Sequence, residues 1–520
     1  MLTRLNKIHF SILLFLLSLI VFWRTIDYEF VWDDERIHIT SNQRLMNGEV
    51  KSFWSQPYSG MYIPMSYSTW SIIKNYFYGK GEANPKVFHA LNILTHSLNC
   101  VLLFFLLTIL FKNNTYAAVG TMIFMFHPTQ VESVAWISEF RGLYSTLFAF
   151  SSLLFIFSYL DRNKINTFAS FTTSKHFIFA SFFFCLALLS KPSVVVLPFM
   201  ILILVRMFYS ADFLTVTKSL CIWLIFIIPI VIITSNLQPD SKILFPNPIF
   251  EKLDIAGYSF VFYLEKLVYP HPLVACYGKT PDVVMKSNFS AVIMTVGFLI
   301  LLIIFSIRHI KPAVFAALSL VMVGLMPVAG FINFDFQQYS TVADRYLYLP
   351  LIGFAVGAAL ILQFHPTTLP YLIVICLTYL SLTLNQIGIW KNEFKLWDNT
   401  IEHYQNVPSA YYNRGVENSK LAKFDEAIFD YSKALELKPD YKDALFNRAN
   451  AYENKNDAYS AFKDYDTYLK LDSTDGSVYF KRSHLNYKVG NIKGAILDAQ
   501  KAEYYHFPVG DKFKAKLLNQ

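Results

Sequence analysis

The 520-residue chain is poor in charge: Asp, Glu, Lys and Arg make up only 16% of it. A soluble globular domain carries about a quarter. It also lacks a cysteine framework. Cys100, Cys185, Cys221 and Cys376 lie in apolar runs and only Cys276 sits in a long loop, which speaks against a disulfide scaffold. No glycine-rich loop of Walker or Rossmann type is present, so a nucleotide-sugar or ATP site is not expected. The first apolar run is not followed by small residues at a cleavage site. Its flank, "FWRTIDYEF", is bulky and charged, so the run is read as an uncleaved first helix. The net charge of +8 comes from scattered basic residues, many flanking apolar runs, and no nucleic-acid partner is expected.

What is abundant is apolar. The chain is 54% hydrophobic, holds 49 Phe, and has a mean hydropathy of +0.37. Up to Trp390, runs of roughly 17–22 apolar residues recur, each long enough to span a bilayer. About eleven are expected, beginning near His9, His89, Tyr116, Tyr144, Phe177, Val194, Thr217, Phe289, Pro312, Tyr346 and Thr368. The short connections "TRLNK", "FKNN", "DRNKINTFASFTTSK", "VRMFYSADFLTVTK" and "SIRHIKP" are basic and alternate, which assigns them to the cytoplasm. The opposite face then receives residues 24–88, "FHPTQVESVAWISEFRG", "SKPS", residues 236–288 and "NFDFQQYSTVADRY". An odd number of spans puts the polar tail there too.

Every unusual polar cluster falls on that one face: Asp33 with Asp34, His127 with Glu132, Arg141, Lys191, and Asp344 with Arg345. Ionisable groups at membrane depth are costly and usually mark function. His89, Asn92 and His96 share one face of the second span, as a ligand site or a buried polar seam between helices.

From Pro408 the chain repeats every 34 residues without gaps. Tyr412, Phe446 and Phe480 recur, as do Arg414, Arg448 and Arg482; Ala427, Ala461 and Ala495; and Asp430, Asp464 and Asp498. This period is the tetratricopeptide signature, a stack of helix pairs. The expected organisation is all-α: a polytopic helical membrane domain over residues 1–390, a linker over 391–407, and a tetratricopeptide α-solenoid of three repeats with a C-terminal cap over 408–520.

With outward acids and an outward repeat tail, the chain resembles the transmembrane and tetratricopeptide-repeat O-mannosyltransferases and their bacterial relatives, within the GT-C glycosyltransferase superfamily. The blocks that carry the resemblance are "FVWDDERIHI", "HALNILTHSLNCVLLFFLL", "FHPTQVESVAWISEFRGLYSTLF", "LLSKPSVVVLPFMIL" and "ADRYLYLPLIGFAVG". It implies a GT-C-like membrane domain and a sugar, mannose or another hexose, carried on a polyprenyl phosphate and passed to a protein hydroxyl. Such a reaction needs a carboxylate base for the acceptor hydroxyl. It also needs negative charge beside an oxocarbenium-like transition state and cations at the departing phosphate. Asp33 and Asp34 suit the catalytic role, and the resemblance favours Asp33. Arg141, Lys191 and Arg345 suit the donor phosphate, although Asp344 and Arg345 could equally pair with each other. His127, Glu132, Asp344, His89 and His96 are candidates for substrate contact or scaffolding. His127 and Glu132 are too few for a metal site. No cofactor is expected, with a divalent metal left open.

The partners expected are the lipid-linked sugar, a protein acceptor in the repeat groove, and membrane lipids. The location expected is a bacterial inner membrane with site and repeats in the periplasm, or an endoplasmic reticulum membrane with a lumenal site. A transporter or flippase would need polar groups through the spans, and a membrane-anchored repeat scaffold would leave the outer acids and bases without a role.

Overall fold

The computed structural model describes residues 2–163, 167–209, 213–238, 248–287 and 312–518. Among them no strand occurs, and every regular element is a helix. It divides into two compact units, Met1–Asn392 and Glu393–Gln520.

Among the described residues of the first unit five helices are long and apolar enough to cross a membrane: Lys7–Asp27, Pro85–Phe111, Ile137–Arg162, Phe213–Asn236 and Pro366–Ile389. Shorter apolar helices, Lys175–Ser190, Pro192–Phe208, Phe315–Val328 and Leu351–Phe364, fall where four further spans are expected. The one expected near Tyr116 is the 13-residue helix Asn114–Phe126. The span expected near Phe289 and the basic connection "SIRHIKP" begin outside the described residues. The stretch 236–288, read from sequence only as a long connection, holds the helix Pro248–Val268, where charges at Glu251, Lys252, Asp254, Glu265 and Lys266 broke the apolar run.

Local chemistry sets the helix ends. Asn84 caps Pro85–Phe111 by accepting from the Lys86 backbone, with Pro85 in the first turn. Asn113 accepts from Thr115 and Tyr116 to start the next helix. That helix stops at His127 because the residue before a proline is pushed out of helical geometry. Helices Pro85–Phe111 and Phe140–Arg162 form the buried centre. The first, Phe213–Asn236 and last apolar helices leave Ile12, Leu13, Ile20, Ile225, Ile232, Val374 and Leu377 exposed, a surface suited to lipid. Close helix approach is by small residues: a Cβ on Gly120 would sit 2.7 Å from the Ala355 carbonyl.

The second unit is three helix pairs, Pro408–Lys420 with Phe424–Leu437, Lys442–Asn454 with Ala458–Leu471, and Gly476–Lys488 with Ile492–Tyr504, followed by Asp511–Leu518. Each repeat carries one arginine staple. Arg414, Arg448 and Arg482 close bidentate bonds on Asp430, Asp464 and Asp498, at 2.7–3.1 Å. The third guanidinium nitrogen reaches back to Asp398, Ser432 and Asp466. Those three positions are again 34 apart in sequence. Asp398 lies on the helix Glu393–His403. Most of the expected 391–407 linker is therefore a helix of the second unit, placed as the second helix of a preceding half-repeat.

Candidate functional site

The sequence candidates meet at the connections of the first unit. Asp33 precedes and Asp34 opens a single wide turn, Asp34–His38, closed by the Ile39 amide on the Asp34 carbonyl at 2.8 Å. The residue before them, Trp32, has a left-handed φ of 59°. A bulky residue holds that conformation only where its surroundings impose it. Here the indole stacks on Trp136 at 4.8 Å and packs on Phe336 at 5.8 Å.

The two aspartates do different things. Asp34 is fully buried and both its oxygens are occupied: Oδ1 accepts from the Ser138 amide at 2.9 Å and its hydroxyl at 2.5 Å, and Oδ2 from the Val31 amide at 3.1 Å. It ties this segment to the turn Ile137–Glu139. Burial and the neighbouring Asp33 charge push its carboxyl well up, against those hydrogen bonds. Asp33 is partly exposed. Its Oδ2 lies 3.3 Å from His38 Nε2, and its Oδ1 is itself buried, with no hydrogen-bond partner among the described residues. Burial would raise its carboxyl, but His38, Arg141 and Arg345 outweigh burial and hold it below the ordinary carboxylate range. Asp33 is therefore the more acidic of the two, and its buried Oδ1 is left without a hydrogen bond.

The three cations converge, on a residue that sequence reasoning did not single out. Glu139, 1% exposed at its side chain, takes Lys191 Nζ at 2.7 Å, Arg141 Nε at 3.1 Å and Arg345 Nε at 3.8 Å. Its position two residues before Arg141 gave no signal, because side chains at that spacing do not face each other on a helix. The Glu139 backbone is instead in a short tight turn that ends at Phe140. A second buried carboxylate, Glu132, receives the Arg345 guanidinium at 2.5 Å and its amide at 2.9 Å. Three cations face two glutamates, and the fields of Arg141 and Arg345 also reach Asp33. Lys191 and Arg345 both line a small cleft of about 30 Å³, together with Ser145, Ser193 and Tyr346. Arg345 also lies within cation–π reach of Trp32, Trp136, Phe336 and Tyr346, with Phe336 at 4.1 Å.

Asp344 and Arg345 do not pair with each other. On one tight turn their side chains diverge. Arg345 goes to Glu132, while Asp344 accepts from the Tyr277 hydroxyl at 2.8 Å. Burial and the Glu132 charge push the Asp344 carboxyl well up. His127 does not join Glu132: its Nε2 donates to the Leu267 carbonyl at 3.1 Å, which leaves Nδ1 to accept from the Thr129 hydroxyl at 2.8 Å. Burial pushes it down to about 4, so it is a neutral structural link.

His96 meets the Tyr348 hydroxyl at 2.7 Å, Asn99 the same oxygen at 3.0 Å, and Asn92 the carbonyls of Val134 and Trp136. His89 packs edge-on to Tyr28. Asn92, His96 and Asn99 of Pro85–Phe111 are thus engaged in helix-to-helix and helix-to-loop contacts, and Asn92 holds the backbone of Trp136, whose ring lies within cation–π reach of Arg141 and Arg345. Among the described residues no three His, Cys, Asp or Glu side chains converge as metal ligands.

A family model for the tetratricopeptide repeat matches residues 408–441. None of the curated proteins matches the chain. The chain thus carries a tetratricopeptide repeat, and its described residues include helices long and apolar enough to cross a membrane.

Proposed function

We propose that the first unit is a GT-C-type glycosyltransferase of about eleven spans, moving mannose or another hexose from a polyprenyl phosphate to a protein hydroxyl on the extracytoplasmic face. The observation that carries this reading is the pairing of Asp33, ionised and with one oxygen unshared, with a cluster of three cations at the same set of connections. Asp33 Oδ1 takes the proton of the acceptor hydroxyl as its oxygen attacks the anomeric carbon. The bond from that carbon to the phosphate oxygen breaks, and the phosphate leaves with its electron pair. Arg141 and Lys191, partly exposed at 13% and 19% of their side chains, meet that charge. Arg345 is more buried and holds the cluster through Glu132 and Glu139. Glu139 keeps the cations apart and aimed before the phosphate arrives. Asp34 fixes the turn from which Asp33 projects. The repeats hold the acceptor protein or a partner. Sidedness follows the basic connections: the site and the repeats lie in the periplasm of a bacterial inner membrane, or in the lumen if the membrane is reticular.

The test is mass spectrometry of exported proteins from cells with and without this chain. Loss of hexose from Ser or Thr of specific proteins is the expected result. An unchanged glycan profile contradicts the reading.

A further inference from the structure

Asp33 is held by a relay that begins on another helix. His38 Nε2 lies 3.3 Å from Asp33 Oδ2, and His38 Nδ1 lies 2.9 Å from the Tyr67 hydroxyl. Both rings are buried, at 2% and 1% exposure. Tyr67 belongs to the helix Pro64–Tyr78, where it stacks on Phe53 at 5.0 Å and meets Trp70 edge-on at 5.6 Å. Its place is fixed by packing. Burial pushes the Tyr67 phenol far up, so it remains a donor. An ionised Asp33 carboxylate can only accept, so the His38 nitrogen beside it, Nε2, carries a proton, and Nδ1 is left to pair with the Tyr67 hydroxyl. The wide turn Asp34–His38 is what brings a residue five positions along the chain back to its carboxylate.

We infer that His38, oriented by Tyr67, is a positioning residue that occupies Asp33 Oδ2 and thereby presents the unshared Oδ1 to the acceptor hydroxyl. This inference rests on the reading of Asp33 as general base. It assigns His38 no contact with substrate. Its effect lies in the turnover step and in the acidity of Asp33, with donor binding left alone. The charged and titratable groups around Asp33 are Asp34 on its own turn, His38, Tyr67, Arg141 on Phe140–Arg162, and Arg345 on Asp344–Leu347. His38 is among the groups that hold the Asp33 carboxyl down. Without its Nε2 donor the Asp33 pKa rises, and the acid limb of the rate profile moves to higher pH.

The experiment uses the full chain in liposomes with polyprenyl-phosphate mannose and a Ser/Thr acceptor peptide, comparing His38→Phe, His38→Gln, Tyr67→Phe and Asp33→Asn. His38→Phe is expected to lower kcat on the order of 10- to 100-fold, the worth of a hydrogen bond to a charged group, with the donor KM unchanged. Its acid limb moves to higher pH. His38→Gln, whose amide nitrogen reaches the Nε2 position, regains most of the rate. Tyr67→Phe shows a smaller loss in the same direction, and it carries the test alone if His38→Phe does not fold. Wild-type kcat and an unmoved acid limb in folded His38→Phe or Tyr67→Phe, beside a dead Asp33→Asn, overturn the relay and leave the base in place. An active Asp33→Asn removes the base reading and this inference with it.

Discussion

The two units use the same chemistry to opposite ends. In the repeat unit each arginine closes on one aspartate through two parallel bonds, and Asn418 and Asn486 add a further donor to Asp430 and Asp498. In the apolar unit three cations crowd two glutamates at unequal distances, from 2.5 to 3.8 Å, and a neighbouring aspartate keeps a buried oxygen without a hydrogen-bond partner among the described residues. Saturated pairs fix a shape. Unsaturated ones leave charge that a passing ligand can use. The difference separates framework from candidate site without appeal to any relative.

The comparison can be broken most sharply at Asp33. Asp33→Asn removes the base while Asp34 still holds the turn, and turnover on an acceptor peptide falls by roughly 10²–10⁴. Asp34→Ala acts on the fold instead. It strands the Ser138 and Val31 donors, at about 1–3 kcal/mol for an unsatisfied buried group, read as a lower melting temperature in detergent. Next in size are Arg141→Ala and Lys191→Ala, each expected to slow turnover on the order of 10²-fold, as for the loss of one donor at a developing charge. Arg448→Ala, the corresponding change in the repeat unit, leaves Asp464 buried and unpaired. It destabilises that unit by roughly 3 kcal/mol and leaves transfer to a short peptide at the wild-type rate. An equal loss of transfer in Arg448→Ala and Arg141→Ala erases the distinction between the two units.

A subtler change sharpens it. A Cβ on Gly142 would sit 2.8 Å from Glu139 Oε2 and 3.2 Å from Lys191 Nζ. Gly142→Ala gains up to about 1 kcal/mol of helix propensity, yet it must push that ion pair aside. Unchanged or raised thermal stability with about tenfold slower turnover is the expected outcome. The smallest effect expected is from truncation after Asn392. It keeps transfer to a short peptide and slows transfer to whole acceptor proteins several-fold, through loss of a local concentration in the ~mM range. Equal rates on whole proteins would give the repeats another role.

The rate profile follows from the same charges. Activity needs Asp33 ionised, and its carboxyl is held below the usual range, so the acid limb lies below that range and activity persists into mildly acid pH. For stability, Asp34 and Asp344 have the opposite sign. Their folded-state values are raised, so their contribution is fully present below the unfolded carboxylate value and is lost as pH rises through the folded one.

Much of the organisation was legible because it is periodic. The 34-residue columns of Arg and Asp are visible in the sequence, and so are the apolar runs and the break at His127. The pairing of those columns was not legible, since Arg414 and Asp430 are 16 residues apart on two different helices. The candidate site was readable as a set of residue types and not as a set of bonds. Arg345 finds Glu132 across 213 residues, while its neighbour Asp344 turns away to Tyr277. Glu139 and His38 escaped because their roles depend on a tight turn and a wide turn, neither of which has a simple spacing rule. The division of labour between Asp33 and Asp34 is set by Ser138, more than a hundred residues on.

The central claim is that the apolar unit transfers a sugar at one face, and reconstitution tests it directly. The purified chain is placed in liposomes with polyprenyl phosphate carrying radiolabelled mannose or glucose, and with an acceptor peptide outside. The account predicts label on the peptide hydroxyl and free polyprenyl phosphate in equal amounts, both lost in Asp33→Asn. Label that crosses the bilayer on its lipid, with none on the peptide, would identify a lipid transporter and contradict the account.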